Sequence, residues 1–340
     1  MMPRWFVTAV FLVLTGCLGP QANPDWAKPV TDLVWPKPPD VPRIRFLNAF
    51  DGTPVATTEK SGKFLAWLTG DEQQRVPLLS PYAVVADGAG RVWVSDPLAH
   101  RVALFDLSRN QRQALNNFGD QGLDTPLGLA LDRKRGRLYI SDGSLRRIVV
   151  AGMDGGLVAV WTHELFQRPA GLALDSTGNL YVADVLLGDV LVFSPDGRLL
   201  RRIGSRLTED GHFNRPANVA VGRDGTVYVV DSINFRVELI AADGRSLGTI
   251  GQLGDIPGSF ARPRGIALDS DGHVYVADAA FGNIQVFDRS GRLLLFFGEP
   301  GRKPGAFSLP AGLCFDDQDR LYVVDSYNHR IQVLQYLKQP

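Results

Sequence analysis

Six aspartates recur at the same place in a repeating stretch of sequence: Asp96, Asp142, Asp184, Asp231, Asp278 and Asp325, spaced by 46, 42, 47, 47 and 47 residues. Carboxylates in such number could ligate a metal or serve as acid and base, provided that several converge on one point. Their periodicity argues for a different task. Each closes an alternating run such as VYVAD, where a carboxylate can accept backbone N–H groups of the following turn. Five residues later stands Arg101, Arg147, Arg236 or Arg330, replaced by Asp189 and Asn283 in the third and fifth repeats. The expectation is structural Asp–Arg pairing within each repeat.

The other candidate ligands and nucleophiles are few. His100 and His329 each precede the repeat arginine, His273 falls in a hairpin turn, and His163 and His212 fall in connections. A catalytic zinc needs about three converging protein ligands, and this scatter does not supply them. No Ser/His/Asp or Cys/His constellation is readable, and the glycine pairs sit in hairpin turns rather than in a phosphate-cradling loop. Of the two cysteines, Cys314 lies in an apolar stretch (GLCF) and reads as an inert core side chain. No catalytic residue, metal or cofactor is therefore assigned. The 36 basic residues are balanced by 36 acidic ones across 340 positions, which speaks against a nucleic-acid-binding protein. The local cluster Arg133–Arg137, with Arg198, Arg201 and Arg202, reads as a solvated face or an anionic-lipid contact.

The elements that carry these residues are short strands. Six copies align: PYAVVADGAGRVWVSD (81–96), PLGLALDRKRGRLYISD (126–142), PAGLALDSTGNLYVAD (169–184), PANVAVGRDGTVYVVD (216–231), PRGIALDSDGHVYVAD (263–278) and PAGLCFDDQDRLYVVD (310–325). Each gives two alternating runs around a Gly/Asp turn, then a third run such as NIQVFD and a fourth such as LLLFFG. Such runs are too short for helices, and four of them joined by hairpins make one propeller blade. The fold class is all-β, a six-bladed propeller spanning 45–340. The sixth copy ends after its third strand. The unused run at 45–50 (RFLNAF) is expected to pair with it and close the ring, removing an open edge. A short helix is expected near 57–68.

The N-terminus has a different character. Arg4 precedes an apolar stretch from Trp5 to Leu14, of about ten residues and thus half the length of a spanning helix. The following Leu14-Thr15-Gly16-Cys17 resembles the lipobox of bacterial lipoprotein signals, which implies a signal of residues 1–16 and membrane attachment through lipidated Cys17. Leu18 after the cysteine implies outer-membrane delivery, facing the periplasm or the cell surface. Residues 17–44 carry a proline series that reads as an extended tether, reaching up to roughly 80 Å at about 3.1 Å per residue.

The motif Pro-x-Gly-[IL]-Ala-[LV]-Asp, then [LV]-Tyr-Val-[AV]-Asp, then Asn-x-Arg-[IV]-x-[VL], resembles the NHL repeat family over about 81–340. With the proline-rich approach WPKPPDVPRIRF, the chain is similar to bacterial NHL-type lipoproteins. The amidating lyases of that kind place a zinc-binding histidine directly after the repeat proline. Here the slot holds Tyr82, Leu127, Ala170, Ala217, Arg264 and Ala311. Related calcium lactonases use a Glu and an Asn in the channel, and only Asn218 stands at a matching place.

What remains is a face. The loops between second and third strands carry apolar residues where the family has small polar ones: Leu98, Leu186, Leu187, Ile233, Phe235, Ala280, Phe281 and Tyr327. With Tyr82, Asn218 and Arg264 near the channel mouth, they form a candidate binding face for a protein or small ligand. The reading is a membrane-anchored binding scaffold of the cell envelope. The alternative is a lyase or hydrolase using a divalent metal in the channel.

Overall fold

The computed structural model describes residues 27–52, 75–204 and 213–338. Cys17, the expected helix near 57–68 and His212 lie outside the described residues. Six antiparallel sheets follow one another around a central axis, and each runs outward from an inner strand that begins, in blades 2 to 6, at the repeat proline. Blade 1 comprises Val84–Ala86, Arg91–Asp96, Arg101–Asp106 and Gln111–Leu115. Blade 4 is Pro216–Val221, Val227–Asp231, Arg236–Ile240 and Ser246–Ile250, and blades 2, 3 and 5 repeat the plan. The second strands are buried throughout, as in LYVAD and VYVVD. Both of their faces pack on neighbouring blades, so β-branched and aromatic residues fill them without alternation.

The ring closes as expected. Ile44–Phe50 is the fourth strand of blade 6 and pairs antiparallel with Arg330–Tyr336, from Ile44 opposite Tyr336 to Phe50 opposite Ile331. Ile44, Phe46 and Leu47 are buried there, each worth about 1.5–3 kcal/mol of transfer free energy. The sequence did not announce a fifth strand. Val34–Trp35 adds to the outer edge of Ile44–Phe50, with the Trp35 ring 5.5 Å from that of Phe297 in blade 5. Val30 N–H donates to the Leu47 carbonyl at 2.9 Å. Much of the stretch read as free tether is thus docked on the propeller, and its reach shortens accordingly.

The two ends of each blade differ in chemistry. The turns from first to second and from third to fourth strands emerge on one face; the second-to-third turns and the connections between blades emerge on the other, here called the linker face. On the former face Arg320, fully buried, donates Nε–H to the equally buried Asp316 at 2.6 Å and an Nη–H to the Gly88 carbonyl of blade 1. This pair ties the last blade to the first. Removing one partner of a buried pair strands the other charge, so Arg320→Met should lower the unfolding free energy by about 3–5 kcal/mol. Urea titration checks this, and a loss below about 1 kcal/mol would contradict it.

Candidate ligand-binding face

The periodic aspartates build the linker face. Each carboxylate is buried and holds the connection that leads into its own blade. Asp184 accepts the backbone N–H groups of Gln167 and Arg168, both at 2.8 Å; Asp96 accepts those of Leu79 and Ser80, and Asp278 those of Ala261 and Arg262. In blades 4 and 6 only Asn214 and Ser308 donate in this way. There the residue before the proline, Arg215 or Leu309, turns into the left-handed region at φ 59° and 51°. The expected bonds to the following turn are present as well, from Leu186 and Leu187 to Asp184 and from Ala280 and Phe281 to Asp278.

The Asp–Arg pairing is closest in blade 6, where Arg330 Nε lies 2.7 Å from Asp325, and looser in blades 2 and 4 at 3.7 and 3.8 Å. Arg101 donates instead to the Pro77 carbonyl. In blade 3 the roles invert, with Asp189 in the arginine slot bound by Arg202.

These clamps fix a common loop in every blade. The fourth residue after each aspartate has positive φ: His100, Arg146, Gly188, Phe235, Gly282 and His329. The second residue projects outward, and here Leu98, Leu186, Ile233 and Tyr327 stand 65%, 60%, 45% and 61% exposed. Phe235 and Leu187 instead pack partly into the cores between blades, and Phe281 is half-buried. The apolar rim is therefore carried by the outward position. Leu145, in the slot of Leu187 and Phe281, extends it, as do Leu253 and Ile256, which went unnoticed in the sequence because they fall in the connection between blades 4 and 5.

The channel mouth gathers different groups. A cavity of about 300 Å³ runs between the inner strands, and Tyr82 and Asn218 are its polar side chains apart from the Cys314 thiol. Burial pushes the Tyr82 phenol up, while Arg264 and Arg168 pull it down. Burial likewise lowers the Arg264 guanidinium, and Arg262 adds like-charge repulsion. Asn218 is engaged locally, its Oδ1 accepting the Val219 N–H at 2.9 Å. Burial raises the Cys314 thiol far above its ordinary range, which leaves it unreactive.

A channel metal does not fit the side chains present. Among the described residues no three His, Cys, Asp or Glu side chains come together, and Asn218 has no carboxylate beside it in the cavity lining. The histidines are dispersed: His163 packs edge-on against Phe193, His273 binds Asp269 at 2.7 Å, and His329 stacks on Tyr327. Two members of the basic cluster on the opposite face meet carboxylates, Arg133 with Asp317 at 3.1 Å and Arg135 with Asp132 at 2.8 Å, while Arg137 and Arg201 donate to backbone carbonyls.

The sequence matches the NHL repeat family over residues 260–287 and 307–334, the last two blades. The chain is a six-bladed β-propeller with NHL repeats in its last two blades. Residues 47–209 of this NHL-repeat propeller also match the SMP-30/Gluconolactonase/LRE-like region. Over 154 residues it is 30% identical to STRICTOSIDINE SYNTHASE-LIKE 3 of Arabidopsis thaliana, covering 42% of this chain but only 34% of that protein. Among solved structures it is similar to an auxiliary nutrient binding protein from Bacteroides thetaiotaomicron (TM-score 0.60, 14% identity, 77% of this chain and 70% of that one). It is similar also to virginiamycin B lyase from Staphylococcus aureus (TM-score 0.57, 15% identity, 76% and 95%). At such identities these likenesses describe the fold.

In the NHL-repeat propeller the clamp of blade 4 carries a second acid. Glu238 lies 2.7 Å from Arg236, which also faces Asp231. Burial raises the carboxyl of both acids, against the pull of Arg236 on each and of hydrogen bonds from Asn234 and Asn214 on Asp231. Both groups then hold a proton more tightly folded than unfolded. Their contribution to stability is full below the ordinary carboxylate range and is lost as pH rises through the folded values. Glu238→Gln should flatten this decline, seen as urea midpoints that fall less between about pH 4 and 7; an unchanged profile would argue against it.

Proposed function

We propose that this protein is a binding propeller of the bacterial cell envelope, anchored through Cys17, which captures a protein or small ligand on its linker face. The observation that carries the reading is the outward placement of Leu98, Leu186, Ile233 and Tyr327 on that one face. Apolar groups held in water by a rigid clamp, and not folded into the core, are what an interface offers. The likeness to a nutrient binding protein accords with this reading. The likeness to a lyase does not bring a catalytic set with it, since among the described residues the histidines are dispersed and no acid lines the cavity beside Asn218.

The lipobox supports export and anchoring at the outer membrane. With residues 30 to 50 docked on the ring, residues 18–26 would hold the propeller within about 30 Å of the bilayer. Cys17→Ser should move the protein from the membrane to the soluble fraction of fractionated cells; unchanged sedimentation would refute the anchor.

For the binding face, a photo-crosslinker at Tyr327 should give a discrete adduct that is absent when the crosslinker sits at Arg135 on the opposite face. The double variant Leu186→Ser and Ile233→Ser should abolish that adduct without lowering the melting temperature. Equal adducts from both faces, or capture indifferent to the double variant, would overturn the reading.

A further inference from the structure

The residue before the repeat proline is Ser80, Thr125, Arg168, Arg215, Arg262 and Leu309 in blades 1 to 6. Three consecutive blades thus place an arginine at the same register of the inner rim, and Arg264 adds a fourth from the position after the proline. The backbones of Arg168 and Arg262 are pinned by Asp184 and Asp278, so the side chains start from fixed points. None of the four guanidinium groups meets a carboxylate or a hydrogen-bond acceptor among the described residues, in contrast to Arg91, Arg135, Arg320 and Arg330. Arg264 is half-buried in this state, with Arg262 close enough to repel it and with the Tyr82 hydroxyl within electrostatic reach of both Arg264 and Arg168. Arg168, Arg215 and Arg262 are exposed, but Arg264, partly desolvated beside a like charge and without a carboxylate partner, is costly unless an anion joins it.

Below this mouth the cavity changes character. Its wall is made by Val85, Leu131, Leu174, Val221, Leu268 and Phe315, with no charged side chain in its lining. Its volume of about 300 Å³ is at the lower end for a small-ligand site. A cationic mouth over a narrow shaft, whose apolar side chains are interspersed with peptide groups of the inner strands, is complementary to one kind of molecule.

We propose that the channel binds a small amphiphile, an anionic head on the arc of Arg168, Arg215, Arg262 and Arg264 beside Tyr82, and an apolar tail in the shaft. The proposal rests on the linker face being the binding face, and names the chemistry of its ligand. A carboxylate and a phosphate head satisfy the guanidinium groups alike.

Decanoate, decyl phosphate, decanol and decyltrimethylammonium, each below its micellar concentration, form a matched set of probes for calorimetric titration of the propeller. The expected result is one decanoate or decyl phosphate per chain, bound at least about tenfold more tightly than decanol, with the cation weaker still. The better of the two anions identifies the head group. Arg264→Gln and Arg168→Gln should each weaken the anion by about tenfold and leave decanol unchanged, whereas Arg264→Lys, which keeps the charge, should retain most of the affinity. Melting temperatures of the variants confirm folding.

Equal binding of all four probes, no binding of any, or anion affinity indifferent to the arginine variants would overturn the proposal. If crosslinking at Tyr327 survives while the amphiphiles fail to bind, this inference alone falls. If both fail, the binding-face reading falls with it.

Discussion

A carboxylate buried at the end of each second strand holds this molecule in register. Its two oxygens satisfy backbone N–H groups of the connection before the blade, and in blades 2, 3 and 5 of the turn within it too, groups that would otherwise be stranded where no strand partner exists. The inner strands could close around the axis without such a device. Yet the loops at one end would then have no fixed start, and the residues they display would have no fixed place. One buried carboxyl group per blade therefore couples the packing of the sheets to the geometry of the linker face. Where the pattern loosens, in blades 4 and 6, the backbone turns left-handed before the proline, and the mouth of the channel loses its six-fold regularity there.

That broken symmetry separates scaffold from site. Positions that serve the blade repeat six times, as the aspartates and the buried second strands do. Positions proposed to meet a ligand vary from blade to blade: an aromatic at Tyr82, an amide at Asn218, arginines confined to blades 3 to 5, and outward apolar side chains in blades 1, 3, 4 and 6. A ring of near-identical units can show a directional surface only through such departures, because a six-fold ring of one residue type has no preferred orientation for an asymmetric partner.

The fold was legible because its signals are local and repeated. A Gly/Asp turn between alternating runs defines a hairpin wherever it occurs, and the missing fourth strand of the last repeat pointed to Ile44–Phe50. The added strand Val34–Trp35 was not legible, since a segment so rich in proline reads as extended chain and only its hydrogen bonds to Ile44–Phe50 make it part of a sheet. The rim was half legible. Its slots could be counted, but Phe235 turns into the core while Ile233 two residues earlier turns out, a choice set by the left-handed φ of Phe235. The arginine arc was in the sequence all along, one residue before the proline, and its meaning depends on an absence of partners that only the packed ring displays.

Closing the ring with Ile44–Phe50 has a temporal side. This strand leaves the ribosome before any blade, yet its partner Arg330–Tyr336 is made last of all. Five blades and most of a sixth can fold while the seal waits, with an unpaired edge on each side of the gap. The entropy of joining such distant segments grows only slowly with the length between them, so the wait costs time more than stability. A chain that stops short of Arg330 offers the waiting strand nothing to bind. Closure of the ring thus waits on the last repeat, and a chain truncated before Arg330 declares itself through an open, pairing-competent edge.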